Sequence, residues 1–145
     1  MTNGVAQTKT IRGVDVTTVK MRAMRGSRLR HEVQRLIAKE ADRRGTPLTK
    51  IGKDDVRSII TTAFASMTAD EHERFTIDAL RETSVVKRDG NGQPRKIDLL
   101  DARSIDDAFG TDHYALEAAV MFAVETNLAA SFVEGAGSEQ PTPTP

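Results

Sequence analysis

The segment from Asp112 to Val133 constrains the fold more than any other part of this chain. Leu116, Val120, Val124 and Leu128 recur every four residues, which stacks them on one face of a helix. Ala118, Met121, Phe122 and Phe132 widen that face until little of the circumference is polar. A helix apolar all round is buried, either in a core or against a partner. Asn127 lies inside the apolar arc. A buried amide without partners costs about 1–3 kcal/mol, so this side chain is expected to be structural and hydrogen-bonded. The segment therefore predicts a central core helix. A second reading has the same helix also presenting apolar surface to another protein.

A chain of 145 residues is expected to form one domain with a single core. Hydrophobic residues make up 38% and charged residues 29%, the balance of a soluble and mostly helical protein. With no Trp and one Tyr (Tyr114), the core must be largely aliphatic. The absence of Cys excludes disulfides, thiolate metal sites and cysteine nucleophiles together. Glu117 and Glu125 interrupt the best apolar run, which argues against a membrane span. Residues 1–9 hold no apolar stretch of a secretory signal, so the chain reads as intracellular. The zero net charge conceals a division. Residues 1–57 carry 14 Lys/Arg against 6 Asp/Glu (+8), and residues 58–145 carry 7 against 15 (−8). Such a molecule has a basic end suited to an acidic partner and an acidic end suited to a basic one, unless the two neutralise each other within the fold.

Local signals divide the chain into a flexible N-terminus (1–7), a single helical domain (8–133) and a disordered Pro/Thr-rich tail (134–145). Dense β-branched residues predict a hairpin of Thr8–Arg12 with Val16–Arg22, which must pack on helices or a third strand. Ser27 is the expected N-cap of a first helix with the stripe Leu29, Val33, Leu36, Ile37 and Ala41, closed by Gly45-Thr46-Pro47. A second helix over Asp54–Ser66 buries Val56, Ile59, Ile60, Ala63 and Phe64. Thr68 and Glu71 form a capping box for a third, which runs to about Glu82 and buries Phe75, Ala79 and Leu80. Thr83–Arg88 and Arg95–Leu99 flank Asp-Gly-Asn-Gly and read as a second hairpin. Ser104–Phe109 is a short helical turn ending at Gly110, and Thr111 or Asp112 caps the last helix. The expected class is mainly α with minor β, a small domain of four main helices plus one or two short β-hairpins.

Signals for catalysis are weak. His31, His72 and His113 stand far apart, without a second ligand at helical spacing, so no metal site is expected. Asp54-Asp55 and Asp106-Asp107 sit at helix starts, where the helix dipole accounts for them. No phosphate-binding Gly loop and no serine elbow is present; no cofactor is expected and an enzyme is disfavoured. Lys20, Arg22, Arg25, Arg28, Arg30 and Arg35 could track phosphates. They lack interleaved aromatics, and a pI near 6.8 is low for such a module, so nucleic acid is a disfavoured partner.

The order of parts carries a resemblance. A hairpin ending Val19-Lys20-Met21-Arg22-Ala23-Met24 leads into a basic helix, followed by a Thr-Ala-Asp-Glu-initiated helix and a polar hairpin. The element Ile105-Asp106-Asp107-Ala108-Phe109-Gly110 then precedes a helix ending Asn127-Leu128-Ala129-Ala130-Ser131-Phe132. Over roughly residues 8–133 this resembles the tail assembly chaperones of long-tailed bacteriophages. The resemblance implies a non-enzymatic protein of the host cytoplasm that binds the tape measure protein, keeps it soluble and helps recruit tail tube subunits. It implies that tail tube protein is a further partner and that the chain is absent from the mature virion; the charge division would favour copies stacking head to tail along the client. Inference from apolarity and charge places the client surface at Leu116, Val120, Phe122, Val124 and Phe132, steered by Arg25, Arg28 and Arg35. Phe109 and Gly110 are expected to be structural. Two other readings stay open: a tail completion or connector subunit of the virion, and a small nucleic-acid-binding regulator.

Overall fold

Alternation of buried and exposed side chains sets the first layer. β1 (Ala6–Ile11) and β2 (Val14–Val19) pair antiparallel, with Ile11 opposite Val14 across a two-residue turn. Arg12 and Gly13 both take positive φ, 51° and 84°, as a type I′ hairpin requires. The turn is therefore one residue tighter than the three-residue connection expected between Arg12 and Val16. The computed structural model describes residues 6–45 and 53–136, with the side chains of 53–56 and 129–136 outside that description. Of the expected flexible segment 1–7, Ala6 and Gln7 are strand and residues 1–5 lie outside the described residues, as does the Pro/Thr tail beyond Ala136.

β2 also pairs antiparallel with β3 (Thr83–Arg88), and β3 with β4 (Pro94–Asp98). The expectation of four helices with one or two separate hairpins is corrected here: the described residues hold five helices and one four-stranded antiparallel sheet in the order β1-β2-β3-β4. Each hairpin alone would leave a strand edge unpaired, and joining β2 to β3 pairs those edges. At the joint, Thr18 and Thr83 are buried and hydrogen-bond each other at 2.9 Å.

Three helices intervene between β2 and β3: α1 (Ala23–Arg44), α2 (Lys53–Ser66) and α3 (Ala69–Ala79). The N-cap of α1 is Arg22, without a capping side chain, so Ser27 is no cap and stands inside the helix one turn further on. Extended backbone at Arg22 starts the helix as the chain leaves β2. The helix ends at Gly45, whose φ of 74° exposes two carbonyls to its N–H. Thr68 and Glu71 make the reciprocal capping box of α3, at 3.1 and 2.9 Å. That helix stops at Ala79 rather than Glu82, because the chain turns through Leu80 into β3. Of two residues placed from sequence, Val56 has its side chain outside the described ones, and Pro47 lies outside the described residues.

α4 (Ala102–Phe109), capped by Asp101, ends at Gly110 with φ 59° and buries Phe109 against the core. Asp112 caps α5 (His113–Ala136) through the Ala115 N–H at 3.0 Å, and Arg12 holds the same carboxylate at 2.8 Å. α5 lies across β1 and β2 and meets α1, α2, α3 and α4 on its other sides. Ala119, Val120, Ala123, Val124 and Leu128 are 0–1% exposed, which accounts for its apolar circumference. The amide of Asn127 is satisfied: its Oδ1 accepts from Met21 N at 2.7 Å and its Nδ2 donates to Ala123 O at 2.8 Å.

Candidate functional site

The apolar stripe of α1 is wider than α5 alone can cover. Leu29 and Leu36, one heptad apart, meet Ala63 of α2 and Phe75 of α3 at the bottom of an open groove of about 1210 Å³. Met67 and the exposed Met24 extend its apolar lining. α1 and α3 form antiparallel walls: Arg28 reaches Asp78 at 3.8 Å at one end, while Lys39 and Arg35 act on Glu71 towards the other. The lining runs along α1 from Arg22 to Arg43, a length of ~32 Å at 1.5 Å per residue. The groove is therefore long enough to lie along one face of an amphipathic helix of about 20 residues.

Its rims are charged, with eight cationic and five anionic lining side chains. Glu40 is buried at the α1 C-terminal end, where Arg43 (Nε, 3.1 Å) and Arg44 (Nε, 2.9 Å) donate to its carboxylate. Those hydrogen bonds, Arg43 first and Arg44 next, hold its pKa at about 2 against the usual 4.5. Since the folded value is depressed, ionised Glu40 contributes stability above about pH 4.5, and this is lost as pH falls towards 2. Glu71, Asp101 and Asp112 are lowered too, by the Thr68 N–H, the Ser104 N–H and the Arg12 guanidinium respectively. Thermal unfolding of Glu40→Gln should show a lower Tm than the parent near neutral pH, with the gap closing as pH approaches 2. A gap independent of pH would mean that the carboxylate's charge does not matter.

Of the residues placed at a client surface by sequence, Arg25, Arg28 and Arg35 line the groove. Among the described residues, α5 contributes none of that lining. Val120 and Val124, at 1% and 0% exposure, are core and meet nothing outside the fold unless it opens. Leu116 and Phe122 are half-buried against the core, and the Lys9 ammonium lies 5.9 Å from the centre of the Phe122 ring. Phe132 lies outside the described side chains. The cationic half of the expected surface and its apolar half are thus not brought together. The apolar component at the arginines is Leu29, Leu36 and Phe75, which the helical stripes marked only as core. Met24, 85% exposed, also lines the groove, and its exposure is a property of the fold that no sequence pattern announced.

Among the described residues, no group of three His, Asp or Glu side chains could hold a metal ion. No described helix is long and apolar enough to cross a membrane. Comparison with curated proteins and with solved structures gives no match. A family model described as phage tail assembly chaperone protein matches residues 12–139, which is 128 of the 145 positions. The match runs from the β1–β2 turn to the end of α5, enclosing the groove and every helix that builds it. The chain belongs to the phage tail assembly chaperone family.

Proposed function

We propose that this protein is a non-enzymatic chaperone that binds the tape measure protein, keeps it soluble and helps recruit tail tube subunits around it. The groove carries this reading. It offers a long, partly apolar cleft between α1 and α3, and a long helical client needs such cover for its apolar face. Leu29, Leu36 and Phe75 form the floor, and Arg25, Arg28 and Arg35 stand on the rim. Partners of this kind must later be released, which suits a half-open groove better than an enclosed pocket. Binding takes place in the host cytoplasm, before the particle is complete, and the chaperone does not remain in the mature virion. Membrane and nucleic acid have no part in the reading. Copies can associate along one client by a head-to-tail contact that need not close.

The test is co-expression with the longest helical protein encoded nearby, followed by size-exclusion chromatography with light scattering. The expected result is a soluble complex of high mass, with the long protein insoluble alone. Clean separation of the two at both low and moderate salt would reject the pairing.

A further inference from the structure

The groove's charge is not spread along it. Around the start of α1, Arg22, Arg25 and Arg28 face Asp78 and Arg81, a net charge of +3 from the five side chains. The remaining lining, from Glu32 to Arg43 with Glu71 and Arg74, holds four cations and four anions and sums to zero. The whole imbalance therefore sits at one end.

Four further observations fall at that end. Among the described residues, Arg22 and Arg25 have no ion-pair partner, and Arg28 reaches only Asp78, at 3.8 Å, with its side chain 76% exposed. The first turn of α1 carries neither a capping side chain nor an acidic residue, so its backbone N–H groups add positive potential there. Arg81 Nε is buried without a hydrogen-bond partner among the described residues. Met24 stands in the same place, a flexible apolar side chain suited to packing on varied surfaces.

We infer that the groove recognises an amphipathic helix with acidic residues at one end of its apolar stripe, and that it seats that helix in one direction. The stripe packs on Met24, the half-buried Met67 and the edges of Leu29, Leu36 and Phe75 that reach the groove, and the acidic end meets Arg22, Arg25 and Arg28. Opposite charge at one end and neutrality at the other make the two orientations unequal, because the reversed helix leaves its carboxylates beside a neutral rim. Arginine suits this role, since its fork can bind a carboxylate through two donors. The inference rests on the groove being the client site. It adds that every copy on one client would point the same way.

The experiment uses the full chain and two labelled helical peptides of about 20 residues with the same apolar stripe, which spans ~30 Å. One ends in three glutamates and the other in three lysines. Fluorescence anisotropy is measured with the parent protein and with the double variant Arg25→Glu/Arg28→Glu. Both arginines are exposed, and the variant's Tm should stay near that of the parent. The parent should bind the glutamate peptide about tenfold more tightly than the lysine peptide at low salt, with the preference shrinking as salt is raised. In the double variant the preference should invert. Equal affinities in the parent, or a preference that survives charge reversal, would overturn the inference. The client co-elution test is read separately. If the tape measure protein still co-elutes while the peptides show no charge preference, the chaperone reading stands and the directional one falls. If the peptides discriminate but the client does not co-elute, the groove's selectivity stands and the choice of client falls.

Discussion

Replacing Leu128 with alanine is expected to destabilise the protein by about 2–5 kcal/mol, the range for removing a large buried aliphatic side chain. Leu128 is 1% exposed on the helix that meets the sheet and the other helices, so neighbours on several sides would lose contacts at once. A site enclosed by so many elements cannot collapse to refill the void, which places the effect high in the range. Urea unfolding followed by circular dichroism should show a lower midpoint with the slope unchanged. The same variant separates the two roles that sequence allowed for the last helix. As a core residue, Leu128 affects stability and leaves client binding intact wherever the protein is still folded. Lost client binding at unchanged stability would instead make α5 a contact surface.

The last helix was legible because a four-residue apolar repeat and the near absence of charge can be satisfied only by enclosure. The same pattern could not say which apolar residues stay open to a partner. Leu29 and Leu36 read as an ordinary core stripe, and both are indeed buried at 4% and 8% exposure. What makes them a groove floor is the spacing of α1 and α3, a tertiary quantity that periodicity does not carry. The arginines on the rim were visible as a basic run, but their grouping with Arg81 depends on α3 returning antiparallel beside α1.

The sheet was legible as two hairpins and not as one sheet. Within each hairpin the strands are neighbours in sequence, and turn residues announce them. The β2–β3 pairing joins residues 65 positions apart, Thr18 with Thr83, and no local pattern records it. These two threonines also defeat a hydrophobicity reading, because each is buried only by virtue of bonding the other. Ser27 failed for a related reason. A serine before an apolar stripe resembles a cap, but the chain leaving β2 turns directly into helix at Ala23 with backbone geometry alone.

Asn127→Ala should cost about 1–3 kcal/mol, the penalty of leaving a buried donor unsatisfied. The Met21 N–H that the amide accepts lies between the end of β2 and the start of α1, so this one side chain ties the strand-to-helix turn to the central helix. Alanine removes the acceptor for Met21 and opens a space too polar on one side to repack. Differential scanning calorimetry should show a fall of about 4 °C per kcal/mol for a chain of this size. Asn127→Asp sharpens the test. Its carboxylate can still accept from Met21, but its second oxygen would face the Ala123 carbonyl, acceptor against acceptor. Protonation supplies a donor in that position, so the Tm gap between Asn127→Asp and the parent should narrow as pH falls through the carboxylate range. An unchanged Tm for Asn127→Ala, or an Asn127→Asp gap that does not respond to pH, would show that the amide's two hydrogen bonds do not hold the turn.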